Sequence, residues 1–571
     1  MTGKWEDVAA EKRARIENSI PQEWRIQQQP AGDSVFDYPA KSGILTAGEL
    51  AITESSASEL VTKLARGGAE IRRGDRSILQ ESCISTPTGK TEPFVSPTIP
   101  ILLAAEVDGI QVNCCLEFFP EAAIAQAKEL DQYFETYKKP VGPLHGLPIS
   151  LKDQLRIKGL ETSMGYVSWV GKYDTDESVL VTLLRKAGAV FYTKTSVPQT
   201  LMVCETVNNI IGRTLNPRNK NWSCGGSSGG EGAMVGIRGG VIGVGTDIGG
   251  SIRVPSAFNF LYGIRPSHGR LPYAKMANSM EGQETVHSVV GPIAHSAADL
   301  RLFLTSVLGE EPWKYDSKVV PMPWRLSEEE KIQDKILSSG LTLGIYSCDG
   351  VVLPHPPVLR GIEIVKSVLE QHKHTVIPWT PHRHDFGHTL VNAIYTSDGC
   401  TDVNENIRAS GEPPIPNIKD LLNPANKKID MNQLWDTHLQ KWAFQNEYLE
   451  KWREAEERLG KELDAIIAPI TATAAIRHDQ FRYYGYASVV NLLDFTSVVV
   501  PVAFADKSLD VKNPNFKPLN ELDGLVQAEY DPEAYHGAPI AIQVIGRRLS
   551  EERTLAIAEE IGRLMGNSTT P

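Results

Sequence analysis

A chain of 571 residues with 41% hydrophobic and 22% charged residues has the make-up of a globular protein with room for one large core. Its 58 basic and 70 acidic residues give a net charge of −12 with no basic block, so nucleic acid is not an expected partner. Cys83, Cys114, Cys115, Cys204, Cys224, Cys348 and Cys400 are scattered without a CxxC spacing, against a disulfide framework and against structural zinc.

Residues 1–65 read as N-terminal helices: an amphipathic helix over 4–18, a linker from Pro39 to Gly48, and helical spacing again from Thr53 to Leu64. Residues 66–112 keep no period and carry repeated Thr/Pro turn signals. Pro120 suits the first position of a helix whose stripe is Ala123, Ala127, Leu130, Phe134 and Tyr137. Leu147, Ile149 and Leu151 then alternate as a strand that ends in Lys152. Asp174-x-x-Glu177 resembles a capping box opening a helix that Gly188 closes, and 189–193 follows as a strand. Helix, glycine, strand, repeated, is the pattern of an α/β sheet.

Beyond the glycine-rich stretch at 222–270, Ser296-x-x-Asp299 caps a further helix and 341–347 is a strand. Residues 310–460 read as a cap-like region, with Pro-rich loops over 355–430. Met431 to Leu459 is one long helix, whose Trp435, Trp442 and Trp452 are expected to pack. The runs 464–470, 497–504 and 538–545 are apolar and suit central strands, and 550–565 is a terminal helix. No run approaches the ~18 apolar residues of a membrane span, and the N-terminus lacks an apolar signal core. A cytoplasmic protein with no membrane association is expected.

The stretch at 222–270 concentrates the chemistry. Twelve of the 29 residues from Gly225 to Arg253 are glycine, against about 7% in ordinary proteins. Ser227 and Ser251 sit in glycine turns, with apolar runs at Ala233–Ile237 and Val241–Val244 between them. The layout is turn, buried helix, strand, turn, helix. The second turn can aim the N–H groups of Ile248, Gly249, Gly250 and Ser251 at one point, which suits an anion or a developing oxyanion. A serine beside such donors suits acyl transfer but needs a base. None of the 13 histidines lies in an obvious motif as a base for these serines. Lys152 can serve if burial strips its proton; the plainer alternatives are a capped turn and a solvated lysine beside Asp153. Gly226-Ser227-Ser228-Gly229-Gly230 also fits a nucleophile elbow centred on Ser228. That reading needs a strand just before it, and Asn219 to Cys224 reads as a poor one.

HGLPISLKD at 145–153, GGSSGGEGA at 225–233 and GTDIGGSIRVPS at 245–256, in that order, resemble the amidase signature family. The likeness covers nearly the whole chain apart from 66–112. It implies a single amidase domain: a large α/β/α body with a twisted mixed β-sheet covered by helices and a catalytic core at 140–270. It implies a Ser-Ser-Lys triad with Ser251 as nucleophile, Ser227 as bridging serine after a cis Gly226–Ser227 peptide, and Lys152 as base. Ile248, Gly249, Gly250 and Ser251, with Ser227, would bind substrate at the oxyanion hole, supported by Ser228, Asp247 and Arg253. Leu201, Met202 and Val203 become candidate acyl-pocket walls. The implied reaction is hydrolysis of a short aliphatic carboxamide, such as acetamide, to carboxylate and ammonia through an acyl-serine, with no metal or cofactor. The small-molecule amide is the expected partner, and self-association as a homo-oligomer is left open. Where the family has a helix, 66–112 reads as an aberrant or disordered segment, from an altered reading frame or an unremoved insertion. Two other functions stay open: a glutaminase-type amidotransferase subunit, and a non-enzymatic anion-binding protein.

Overall fold

Eleven strands form one mixed sheet in the computed structural model, which describes residues 4–566 apart from 26–31, 42–44, 46–49, 52, 66–111, 420 and 424–425. In chain order the strands are β1 (Cys115–Phe118), β2 (Pro148–Lys152), β3 (Val190–Thr195), β4 (Ile242–Asp247), β5 (Tyr262–Arg265), β6 (Val289–Ala294), β7 (Thr342–Ile345), β8 (Thr375–Pro378), β9 (Ala465–Pro469), β10 (Ser497–Phe504) and β11 (Pro539–Ile545). Across the sheet they run β1-β3-β2-β4-β6-β5-β10-β11-β9-β7-β8. The helices that matter here are α1 (Trp5–Ser19), α2 (Pro120–Tyr137), α3 (Val179–Lys186), α4 (Gly229–Gly236), α5 (Arg253–Phe258), α6 (Ala297–Gly309), α7 (Pro356–Gln371), α8 (His384–Tyr395), α9 (Met431–Leu459), α10 (Gly485–Leu493) and α11 (Glu551–Leu564).

Period-two alternation divides the core. Ile149 and Leu151, Val498 and Val500, and Ile540, Ile542 and Val544 face one side, under α3, α6, α7 and α11. Val499 and Ala541 point the other way, toward α5, while Ile466 and Ala468 join the cluster of α8, α9 and α10. Lys152 has the parity of Ser150, whose hydroxyl donates to Glu231 of α4, so the lysine lies on this second face. There β2 and β4 run parallel, with Ile149 opposite Ile242 and Leu151 opposite Val244. Their carboxyl ends therefore finish side by side where the second glycine turn begins, the usual place for a site in such sheets.

The α/β/α expectation holds, and several local expectations change. The strand at 497–504 and the helix at 431–459 fall where the pattern put them, the helix opened by an Asp430 capping box and closed by Gly460 at φ 64°. Of its tryptophans only Trp452 is buried; Trp435 and Trp442 are 54% and 63% exposed. Tyr137, at the end of the α2 stripe, is also exposed. Asp174 caps nothing: it binds Arg156 and Thr162, and α3 starts at Val179 after Ser178. Part of the Pro39–Gly48 linker is a short helix, Tyr38–Lys41, and the next helix spans Ala57–Ala65. The 310–460 region is not a separate cap, since β7 and β8 belong to the main sheet and α7 packs on its far face, while α8 and α9 lie on the site face. Asn219–Ser223 is a strand after all, in a two-stranded ribbon with Leu215–Asn216. The expectation for 66–112 lies outside the described residues but for Val112.

Candidate active site

Lys152 is fully buried at the end of β2. Its Nζ lies 2.8 Å from Ser227 Oγ and 2.7 Å from Thr246 Oγ1. Thr246 donates its own proton to Gln154 Oε1 at 2.7 Å, and Gln154 is oriented in turn by its amide N–H bond to the Ala277 carbonyl. Thr246 therefore accepts from the lysine. A neutral amine has two N–H donors and one lone pair; with a donor spent on Thr246, the lone pair is free for the Ser227 hydroxyl. Burial brings the Lys152 ammonium down to about 7, against a smaller upward pull from Asp247 and Glu231.

The neighbouring carboxyls are disposed so that they do not hold the proton on Lys152. Asp153 pairs with Lys194 at 2.8 Å rather than with Lys152. Glu231, fully buried, accepts from Ser150 at 2.5 Å and Thr195 at 2.8 Å, and burial raises it to about 8, so it is mostly neutral at pH 7. It fits against β4 only because Gly243 has no side chain: a Cβ there would lie 2.0 Å from Glu231 Oε2. Asp247 stays ionised. Burial alone would raise it, but the Arg253 guanidinium and hydrogen bonds from Arg253 and Asn491 hold it far below the usual carboxylate range. Arg253 also donates to Gln543 Oε1 at 3.0 Å and to the Ala487 carbonyl at 3.0 Å.

The two glycine turns meet at the end of β4. The Gly226–Ser227 peptide is cis, and the Ser228 N–H donates to the Ser251 carbonyl at 3.2 Å. The Ser251 turn is braced by Asp247, which accepts from the N–H groups of Gly250 at 2.9 Å and Ile252 at 3.1 Å. Gly250 therefore departs from the sequence expectation: its N–H is spent on the brace, and its φ of +126° is the conformation that the brace requires of a glycine. The N–H groups of Ile248, Gly249 and Ser251 take no acceptor among the described residues. Ser228 is fully buried, its hydroxyl donating to the Thr246 carbonyl and accepting from the Thr246 N–H, both at 3.2 Å. An elbow nucleophile needs a free, exposed hydroxyl and a base, and Ser228 has neither.

Of the acyl-wall candidates, Met202 packs against the α8–α10 cluster, as do Ile248 and Tyr484, whereas Leu201 and Val203 belong to a separate cluster with Ile415 and Ile418. Sequence reasoning missed Gln154, Thr246, Glu231, Tyr395, Asn491 and Gln543. Gln154, Thr246 and Glu231 lie within or next to the quoted motifs, so their position was visible but not their role. Tyr395, Asn491 and Gln543 reach the site from α8, α10 and β11, with no local signal.

Comparison with known proteins shows the family. A family model described as Amidase matches residues 104–555. The chain is 69% identical over 571 residues to an acetamidase of Emericella nidulans, covering all of both chains. It is 64% identical to an acetamidase of Aspergillus oryzae, covering 99% of this chain and all of the other. Among solved structures, a fatty acid amide hydrolase superposes with a TM-score of 0.87 at 31% identity, covering 99% of this chain and 96% of the other. A family match over most of its length and acetamidase relatives at 69% and 64% identity place the chain in the amidase signature family, as an enzyme that hydrolyses amides.

Proposed function

We propose that the enzyme hydrolyses short aliphatic carboxamides, acetamide among them, through an acyl-Ser251 intermediate with Ser227 and Lys152 as its proton relay. The observation that carries the reading is a buried lysine brought down to about 7 with its Nζ 2.8 Å from a serine hydroxyl. Neutral Lys152 takes the Ser227 proton as Ser227 takes that of Ser251, and Ser251 Oγ attacks the amide carbonyl. The tetrahedral oxyanion receives the N–H groups of Ile248, Gly249 and Ser251. The relay then runs back, protonating the amide nitrogen as the C–N bond breaks and ammonia leaves. Water, deprotonated by the same relay, attacks the ester carbonyl; the ester C–O bond breaks, Ser251 regains its proton and the carboxylate departs. Ser228, Asp247 and Arg253 support the two turns.

The acetamidases at 69% and 64% identity support a short acyl group. Among the described residues no helix is long and apolar enough to cross a membrane. A reducing, cytoplasmic location fits the thiols of Cys204, Cys224, Cys348 and Cys400. The acidic surface gives no basis for nucleic-acid binding, and the catalytic groups of one chain are sufficient whether or not it self-associates. The test is ammonia release from acetamide by the purified protein beside Ser251→Ala. Release by the parent and a loss of several orders of magnitude in the variant are expected. A fully active Ser251→Ala would reject the mechanism, and turnover of glutamine but not acetamide would favour the amidotransferase reading.

A further inference from the structure

Two tyrosines face the Ser251 turn from the helical side. Tyr395 is the last residue of α8, and Tyr484 immediately precedes α10. The Tyr395 hydroxyl donates to the Ile248 carbonyl. A Cβ placed on Gly249 would lie 3.3 Å from Tyr395 Oη and 3.8 Å from Tyr484 Cδ2, so both rings stand over the middle of the oxyanion turn. Neither ring is free to swing. The Tyr484 hydroxyl donates to Asn392 Oδ1, one turn before Tyr395 on α8. Asn392 Nδ2 lies 3.2 Å from His388 Nε2, and His388 Nδ1 lies 3.3 Å from Ser488 Oγ on α10. The chain Ser488–His388–Asn392–Tyr484 thus locks α8 to α10. Burial brings His388 down to about 4 and raises both phenols, so this surface carries no charge at pH 7.

The Tyr395 bond has a second effect. In a trans peptide the C=O and the following N–H point in opposite directions. Capturing the Ile248 carbonyl on Tyr395 therefore fixes the Ile248–Gly249 peptide with the Gly249 N–H at its opposite edge, pointing away from the Tyr395 hydroxyl. Met202, Ile248 and Tyr484 are partly buried and pack against the apolar cluster that contains Tyr395.

We propose that Tyr395 and Tyr484 form the wall at the acyl end of the site and restrict the acyl group to one or two carbons, with Tyr395 also positioning the Gly249 N–H. This rests on Ser251 being the nucleophile of an amide hydrolase. In an open apolar channel each added methylene improves binding about four-fold; pinned, hydroxyl-tipped rings over the turn leave a longer chain no such path.

The experiment measures kcat and KM separately, and from them kcat/KM, for acetamide, propionamide, butyramide and hexanamide with the parent, Tyr484→Ala, Tyr484→Val, Tyr395→Ala and Tyr395→Phe. The parent is expected to fall steeply with chain length. Tyr484→Ala and Tyr484→Val should raise the hexanamide-to-acetamide ratio at least about ten-fold. Tyr395→Phe keeps the ring, so it should retain the parent's length profile while kcat falls for all four amides together, by about ten-fold or more for a misdirected oxyanion donor. Circular dichroism and labelling of Ser251 by an acyl-directed probe identify folded variants, and the Tyr484 substitutions decide the matter if Tyr395→Ala does not fold. Folded Tyr484 variants with the parent's length profile would overturn the wall, and an unchanged kcat in Tyr395→Phe would overturn the positioning role. No amide turnover by the parent, or full turnover by Ser251→Ala, would instead strike the underlying reading.

Discussion

Replacing Lys152 with methionine should abolish activity and, below pH 9, stabilise the fold. The ammonium falls from its ordinary 10.5 to about 7 because burial disfavours the charged form. At about 1.4 kcal/mol for each tenfold change, that is roughly 5 kcal/mol of folding free energy forgone in full below the folded value of about 7 and progressively less as pH rises to 10.5. The sign follows from proton counting. Between pH 7 and 10.5 the unfolded chain binds the extra proton, so this contribution to stability rises with pH across that window and is flat below it. Methionine fills similar volume and carries no such group. It forfeits the bonds to Ser227 and Thr246, a loss of about 1–3 kcal/mol that does not vary with pH. The stability advantage of Lys152→Met over the parent should therefore shrink by about 4 kcal/mol between pH 6 and pH 10. Urea unfolding of both proteins at several pH values measures it. The parent's kcat/KM should also titrate with an acid limb near the same pH, falling tenfold per pH unit below it, because only the neutral amine accepts a proton. Parallel stability curves for the two proteins would show that Lys152 is not held neutral by burial, and the proposed base would fail with them.

Thr246→Val removes the acceptor that orients the Lys152 amine; kcat should fall about 10²–10³-fold with KM little changed, the cost of a misdirected proton relay. Glu231→Gln should match the parent in stability near pH 5 and exceed it above pH 8. The folded carboxyl keeps its proton up to about 8, so the parent loses stability as pH rises from the ordinary carboxylate range to that value. Arg253→Met leaves Asp247 charged and unpaired close to Lys152; the expected results are destabilisation by about 3–5 kcal/mol and, in the folded fraction, an acid limb of kcat/KM displaced upward. An unmoved acid limb in folded Arg253→Met would show that Asp247 has no influence on the base.

The parts of the protein legible in its sequence are those whose cause is local. Val498, Val499 and Val500 are β-branched and buried on both faces, so a continuous apolar run marks β10. Asp430 and Gly460 bracket α9 because capping chemistry acts within one turn. Lys152 was marked by its place at the end of an apolar strand, but its role as base came only from the resemblance of the three motifs. Where the cause is long-range, the sequence is silent or misleading. Asp174 has a capping pattern, but its carboxylate goes to Arg156 and Thr162. Asn219–Ser223 has poor strand propensity, yet a ribbon forms because Leu215–Asn216 lies beside it. Asn491 and Gln543 touch Arg253 across 238 and 290 residues of sequence, so only the sheet order could have revealed them.

A lysine base demands more of its surroundings than a histidine would. Histidine is half neutral near pH 6.5 without help, whereas lysine must be brought down by more than three pH units. Desolvation does this only if nearby carboxylates do not undo it, and two lie within reach. The fold deals with them differently because their duties differ. Glu231 faces β2, β3 and β4 with no cation bonded to it, so it stays protonated and, neutral, bonds the Ser150 and Thr195 hydroxyls through its two oxygens. Asp247 has to organise the backbone N–H groups of the Ser251 turn, which a carboxylate does better than a carboxylic acid, so it stays charged. Arg253, six residues on, supplies the opposing charge, and Asn491, Gln543 and the Ala487 carbonyl hold that guanidinium in place. The distant residues thus act on the chemistry through a single quantity, the field at Lys152. That is why substitutions at Glu231 and Arg253, which touch neither serine hydroxyl, are expected to register in the pH dependence of the enzyme.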